Sequence, residues 1–249
     1  VEQRWRLSSD KKWLWKGDTS SDEITGHMFG YLFYYDLAAD DAHKERVRNL
    51  VSRIMDYIIE GGYVLRDIDG QHTRWGVWSP ERLNRDPDWR VERPINSFEI
   101  LSYLKTAHFI TGREKYQKEY LRLIREHGYL ENCRRPKTYT RSDRTHIDDE
   151  LLALAAPGLL LNEEDTDRRR IYLEGLTWAH RTVENEQNPF FHFIFGLVGG
   201  ENFHVVESIA FLRDHPLDLI QWRIDNGWRD DVTLARWPLT EPMQLTRML

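Results

Sequence analysis

The sequence predicts an all-α protein whose helices form an (α/α) toroid, a ring of inner helices shielded by outer helices, with a small β-hairpin insertion. The main observation is an alternation of two kinds of helical segment along the chain. Some segments are apolar on every face, and the segments between them carry a one-sided apolar stripe. A helix that is apolar all round must be buried, whereas a one-sided helix can face solvent, so the two kinds predict two layers. An alternating solenoid is the nearest competing architecture.

The composition is that of one globular domain spanning residues 1–249. Hydrophobic residues make up 40% of the chain and charged residues 31%. The formal net charge of −6 argues against a nucleic acid or an anionic membrane as partner. No apolar run reaches the roughly 18 to 20 residues that a membrane-spanning helix needs. Cys133 is the only cysteine, which excludes an internal disulfide.

Each helix is predicted from its apolar pattern. The expected inner helices cover residues 28–37, 95–110, 151–161 and 189–200, and the expected outer helices cover residues 47–59, 113–127 and 166–184. Gly61 and Gly62 end the first outer helix, because glycine suits the left-handed cap. Beyond Pro216 the pattern weakens, which predicts loop with little helix.

Capping patterns predict where three of the inner helices begin. The start signals are residues 20–23, 96–99 and 145–148, each opening with Ser, Asn or Thr and closing with an acid. Residues 63–93 then interrupt the helical pattern. Asp69 and Gly70 form a hairpin-turn dipeptide, and residues 71–78 alternate as a short strand does. This insertion joins the first outer helix to the second inner helix, so we expect it at the mouth of the ring where inner helices begin.

Polar side chains concentrate at that same end. They form three clusters: Asp18, Asp22, Glu23 and His27; His72, Arg74, Trp75 and Trp78; and Arg141, Arg144, His146, Asp148 and Asp149. Helix capping and the helix dipole account for acids such as Glu23. They do not require Asp22, His27 or two adjacent aspartates, so we expect a functional site there.

The clusters suit hydrolysis of a glycosidic bond. Two carboxyl groups from different inner helices can protonate the leaving oxygen and activate water, and Asp22 with Asp149 is the predicted pair. Asp148 competes for the same role. The other predicted catalytic residues are His27, His72 and His146, and the predicted substrate-binding residues are Trp75, Trp78, Arg74, Arg141, Arg144 and Asn96. Tryptophan rings stack on sugar rings, and paired arginines recognise carboxylates.

The alternation of helices, the ten tryptophans and the segment WKGDTSSDEITGH at residues 15–27 resemble the (α/α)-toroid carbohydrate-active enzymes. These include the unsaturated glucuronyl and rhamnogalacturonyl hydrolases and several polysaccharide lyases. The resemblance implies an acidic glycan as substrate and an inner-helix aspartate as acid/base, for which Asp22, Asp148 and Asp149 compete. Only four helix pairs are readable, which implies a shorter toroid, an incomplete ring or part of a longer polypeptide.

Two other functions fit the same residues. A polysaccharide lyase would use His72, His146 or Tyr139 as base, with Arg141 neutralising the uronate carboxylate. A non-catalytic toroid would bind glycans through its tryptophans and arginines.

We expect an oligosaccharide or polysaccharide as partner and no bound cofactor. If a calcium or magnesium ion is bound, Asp18, Asp22, His146 and Asp149 supply its ligands. A periplasmic or secreted location is expected, with the cytoplasm as the alternative, and the oligomeric state is left open.

Overall fold

The computed structural model describes residues 5–137, 146–186 and 188–214. The described residues form ten α-helices and two small antiparallel sheets of two strands each, so the expected all-α class is confirmed. The strands are β1 (Trp5–Leu7), β2 (Leu14–Lys16), β3 (Val64–Arg66) and β4 (His72–Val77). The helices are α1 (Ser21–Leu37), α2 (Asp41–Glu60), α3 (Pro80–Arg85), α4 (Arg93–Thr111), α5 (Glu114–His127), α6 (Tyr129–Asn132), α7 (Ile147–Leu160), α8 (Thr166–His180), α9 (Pro189–Leu197) and α10 (Val205–Asp214).

Helices α4 and α7 form the centre of the core. Most residues of both helices are buried on every face, as the sequence predicts. They approach closely at Gly158, where a Cβ atom would lie 2.3 Å from Oγ1 of Thr106 and 2.5 Å from Oγ of Ser102. Ser102 also donates a hydrogen bond of 2.6 Å to the carbonyl of Ala155. Only glycine at position 158 permits this packing.

Helix α1 packs against both α4 and α7, but it is buried on one face only. The sequence predicts burial all round, and this prediction is wrong. Tyr34 is 41% exposed and Leu37 is 75% exposed, so part of the apolar surface of α1 faces solvent.

The predicted outer helices α2, α5 and α8 lie against the inner ones. Helix α2 packs on α1 and α4, α5 packs on α4, and α8 packs on α7. The stripe of α2 is buried through Val47, Val51, Met55 and Ile58, as its period predicts. The helix ends at Glu60, and Gly62 takes a left-handed conformation with φ of 76°.

The predicted capping box at α1 forms. The backbone N–H of Asp22 donates to Oγ of Ser20 at 3.2 Å, and the backbone N–H of Ser20 donates to Glu23 at 2.7 Å. The predicted start at Asn96 is wrong, because α4 begins three residues earlier with Pro94 in its first turn. The third predicted start at Thr145 and the segment after Pro216 lie outside the described residues.

Strands β3 and β4 form the predicted hairpin, which turns at Gly70. It packs at the end of the molecule where α1 and α4 begin. The backbone N–H of Arg74 donates to Oδ1 of Asp18 at 2.7 Å, and the Trp78 indole donates to Glu99 of α4 at 2.9 Å. Strands β1 and β2 form another hairpin, which the sequence pattern does not predict.

Candidate functional site

Four carboxyl groups gather where α1, α4 and α7 begin. We call Asp22, Glu92, Glu99 and Asp148 the acidic cluster. Asp22 lies in the first turn of α1, Glu92 is the N-cap residue of α4, and Asp148 lies in the first turn of α7. Glu99 lies about two turns into α4. Three helices of the core therefore bring acids from distant parts of the sequence to one end of the fold.

Glu92 is half-buried, and its pKa is shifted into the neutral range. Burial, together with the nearby negative charges of Asp148 and Asp22, raises the pKa of Glu92 to about 7. A carboxylic acid with this pKa holds its proton in about half of the molecules at pH 7, so Glu92 can donate it. Glu92 is not among the site residues predicted from the sequence. The signal that could have found it is Pro94, which marks the start of α4 and so places Glu92 at the helix end.

Glu99 is fully buried and fixes the neighbouring elements. It accepts hydrogen bonds from the Trp78 indole at 2.9 Å and from Oγ1 of Thr25 at 3.2 Å. Tyr103 completes the network, with its hydroxyl 2.5 Å from Oγ1 of Thr25 and donating to the carbonyl of Ser21 at 3.2 Å. The pKa of Glu99 is raised to about 8, because burial and the charge of Asp22 together outweigh the hydrogen bonds from Trp78 and Thr25 that lower it. This network holds the first turn of α1, which carries Asp22, against α4.

Trp78 and Asn96 have structural roles, which corrects two predictions. Both were predicted to bind substrate. Trp78 is 0% exposed and its indole N–H is taken up by Glu99, so its ring cannot stack on a sugar. Asn96 is buried, and its amide donates to the carbonyl of Val77 at 2.8 Å.

Asp149 faces away from the acidic cluster. Adjacent residues of a helix point about 100° apart, and Asp149 lines a small cavity together with His180 of α8. Its Oδ1 pairs with the buried Nζ of Lys137, and its Oδ2 lies 3.5 Å from Nδ1 of His146. The fold therefore does not bring Asp22 and Asp149 together as the predicted catalytic pair. Asp148 takes that place, because its charge and that of Asp22 both act on Glu92.

The three histidines predicted to be catalytic lie in different parts of the fold. His27 is exposed and stacks on Tyr31, with ring centroids 5.7 Å apart. Exposed His72 contacts the carbonyl of Thr73 through Nδ1 at 2.9 Å. His146 caps α7, and its Nε2 lies 3.2 Å from Glu186. None of the three is among the charges that shift the pKa of Glu92 or of Glu99.

An exposed aromatic pair lies in the insertion just before α4. Trp75 is 42% exposed and meets Trp89 edge to face, with ring centroids 6.4 Å apart. The guanidinium of Arg74 lies 4.6 Å from the centre of the Trp75 ring. Trp89 precedes Glu92 by three residues, which places the pair near the acidic cluster. Arg141, Arg144 and Tyr139 lie outside the described residues.

Two residues of the segment before α1, Gly17 and Asp18, are required by contacts within the fold. A Cβ atom at Gly17 would lie 2.5 Å from Oδ2 of Asp67, so a larger side chain would displace that carboxylate. Asp18 adopts a positive φ of 59° and accepts the hydrogen bond from Arg74. These contacts give Gly17 and Asp18 structural roles that need no catalytic function. They do not account for the presence of Asp22.

Within the described ranges, no group of three or more His, Cys, Asp or Glu side chains is arranged to hold a metal ion. None of the helices in these ranges is long and apolar enough to cross a membrane. Comparisons of this chain with protein-family models, with curated proteins and with solved structures gave no match.

Proposed function

We propose that the protein is a glycoside hydrolase that cleaves an acidic, uronate-containing glycan by carboxylate acid/base catalysis. The observation that carries the proposal is the gathering of carboxyl groups at the start of α1, α4 and α7, with half-buried Glu92 among them. Burial and the negative charges of Asp148 and Asp22 raise the pKa of Glu92 to about 7. A carboxyl group with a raised pKa beside a second carboxyl group is the pair that acid/base hydrolysis of a glycosidic bond uses.

Each acid has a defined role in this mechanism. Glu92 donates its proton to the glycosidic oxygen, so the sugar leaves as an alcohol. Asp22 is exposed to solvent and acts as the base that removes a proton from the attacking water. Asp148 is 8% exposed, and its charge helps to keep the proton on Glu92. Glu99 positions the first turn of α1 through Thr25 and so acts on the reaction indirectly.

The substrate class is supported by the exposed aromatic pair. Trp75 presents a partly open ring, and Arg74 beside it has no acid within 4.0 Å in the described part of the chain. An aromatic face next to an available guanidinium suits a sugar ring that carries a carboxylate.

We further propose that the helices form part of an (α/α) toroid. Buried α4 and α7 alternate along the chain with the outer helices α5 and α8, which supports this arrangement. The uncovered face of α1 is where a further inner helix would close the ring.

The test is turnover of uronate-containing oligosaccharides by Glu92→Gln, with release of reducing ends as the measurement. We expect a loss of about 100- to 10,000-fold, the usual contribution of a general acid. The wild-type rate should fall as pH rises above about 7, because Glu92 then loses the proton that it donates. Asp22→Asn should also lose turnover.

Glu164→Gln is the matched control. It makes the same chemical change at an exposed position after the C-terminal end of α7, away from the acidic cluster, and should retain full turnover. Full turnover in Glu92→Gln would reject the assignment. Products that absorb in the ultraviolet would show elimination, and so a lyase, while binding without turnover would show a non-catalytic glycan-binding protein.

Removing the Trp75 indole should weaken substrate binding. Trp75→Ala is expected to cost about 1 to 3 kcal/mol of binding free energy, the scale of a lost aromatic contact. The stability cost should be smaller than for the fully buried Trp78, because Trp75 is 42% exposed. Calorimetric titration of an uncleaved oligosaccharide checks the first expectation and urea unfolding the second. Unchanged affinity would remove Trp75 from the binding site.

A further inference from the structure

A large open groove lies outside the acidic cluster. It has a volume of about 690 Å³ and runs between α2, the β3–β4 hairpin and the chain segment just before α1. Trp15 and Tyr57 contribute aromatic side chains, and Ile24, Ile54 and Leu65 contribute apolar surface. Its volume lies within the usual range of small-molecule sites. Because residue 19 lines the groove and α1 begins at Ser21, the groove lies near the start of α1.

Two of the acids that line the groove are engaged by side chains. Asp56 accepts a hydrogen bond of 2.9 Å from the Tyr116 hydroxyl and pairs with Nζ of Lys115 at 2.6 Å. Asp67 accepts from Arg6 at 3.4 Å. The bonds of Asp56 hold α5 to α2, and the bond of Asp67 with Arg6 holds the β1–β2 hairpin to the β3–β4 hairpin.

Backbone N–H groups also donate hydrogen bonds to two of the acids that line the groove. Oδ2 of Asp67 accepts from the backbone N–H of Asp18 at 3.1 Å, and its Oδ1 accepts from that of Ile68 at 2.7 Å. These hydrogen bonds and the charge of Arg6 lower the pKa of Asp67. Oδ1 of Asp18 accepts from the backbone N–H of Arg74. The two carboxylates are therefore tied to the fold.

The two cations that line the groove are much less engaged. Arg53 is exposed, with no acid within 4.0 Å in the part of the chain that the structure describes. Within the described residues, the Arg66 side chain donates one hydrogen bond, from Nη1 to the carbonyl of Gly70 at 3.2 Å, and these residues leave most of its donors open. The Tyr57 hydroxyl donates to the backbone carbonyl of Arg66 at 2.9 Å and so ties the Tyr57 side chain of α2 to β3. Among the described residues that line the groove, Glu60 is the one further acid.

We propose that this groove is a binding site for the uronate units of a glycan, with Arg53 and Arg66 binding the carboxylate and Trp15 or Tyr57 packing on the sugar ring. A guanidinium presents paired donors that match a carboxylate, and an aromatic face packs on the C–H face of a sugar. This site deepens the proposed function and rests on it for the choice of a glycan. The site binds and does not cleave, so it is tested without turnover.

The experiment is an NMR titration of the wild-type protein with glucuronate and galacturonate, followed through the indole N–H signal of Trp15. Glucose and galactose are titrated in parallel as neutral counterparts. We expect a saturable shift with at least one of the uronates and at least tenfold weaker binding of the matching neutral sugar. The double variant Arg53→Gln/Arg66→Gln should weaken uronate binding at least tenfold.

Arg46→Gln/Arg125→Gln is the matched control, because it removes the same charge from exposed positions outside the groove and should bind as the wild type does. A well-dispersed spectrum shows that each variant is folded. The proposal is overturned if the Trp15 signal does not respond to either uronate, if neutral sugars bind equally well, or if both double variants weaken binding alike. A positive titration together with an inactive wild type would reject hydrolysis and retain the groove.

Discussion

Replacing Lys137 with methionine is expected to lower the free energy of unfolding by about 3 to 5 kcal/mol, the usual cost of leaving a buried charge without its partner. The side chains of Lys137 and Asp149 are 4% and 3% exposed. Methionine keeps most of the volume of lysine but leaves the Asp149 carboxyl buried in a mostly apolar cavity, with His146 at 3.5 Å as its remaining ion-pair neighbour. That cavity also contains His180, whose pKa burial lowers to about 4, so His180 stays neutral and offers no compensating charge. Urea unfolding at pH 7 measures the loss.

Two further variants show whether the loss of stability comes from the unpaired buried charge. Lys137→Met/Asp149→Leu removes both charges and should recover most of the lost stability, because burying an apolar pair costs little. Arg170→Met breaks the Arg170–Glu174 pair, whose side chains are 57% and 52% exposed, and should change stability by about 0.5 kcal/mol or less. A loss below about 1 kcal/mol in Lys137→Met would contradict the buried pair.

Replacing Glu99 with glutamine is expected to remove a large part of the pH dependence of stability. The pKa of Glu99 rises from 4.5 to about 8 on burial in the fold. Between these pH values the unfolded chain loses the proton and the folded protein keeps it, so the stability of the wild type falls as pH rises from 4.5 to 8. The shift corresponds to roughly 3 to 5 kcal/mol. Glutamine stays neutral and can still accept the hydrogen bond from Trp78.

The measurement is urea unfolding of wild type and Glu99→Gln at pH 5 and pH 8. The variant should be more stable than wild type by several kcal/mol at pH 8 and similar to it at pH 5. His180 contributes the opposite dependence, because its lowered pKa makes stability fall as pH drops from 6.5 towards 4. The quantity to compare at each pH is therefore the difference in free energy of unfolding between Glu99→Gln and wild type, in which the contribution of His180 cancels. Glu114→Gln, with a side chain that is 72% exposed, is the control and should show no such difference. Parallel pH profiles of Glu99→Gln and wild type would refute the buried neutral acid.

Much of the secondary structure is determined by local sequence patterns. The stripe from Val47 to Ile58 places α2 with one face on the core, and the all-round apolar pattern gives the buried α4 and α7. The capping box at Ser20 and the turn at Gly70 also follow from local chemistry. Such signals act between residues a few positions apart, so the sequence by itself determines the burial pattern of α2, α4 and α7 and the β3–β4 hairpin.

The composition of the site was decided only by the tertiary structure. The sequence places Asp148 and Asp149 next to each other at a helix start, but their directions differ by about 100°. Packing of α1 and α4 against one side of α7 brings Asp148 towards Glu92, and Lys137 meets Asp149 on the other side. Glu92 acquires its high pKa from burial and from charges 56 and 70 residues away in sequence. Such long-range proximity leaves no periodic trace in the chain, because periodicity shows which face of a helix is buried and does not show which side chains it meets.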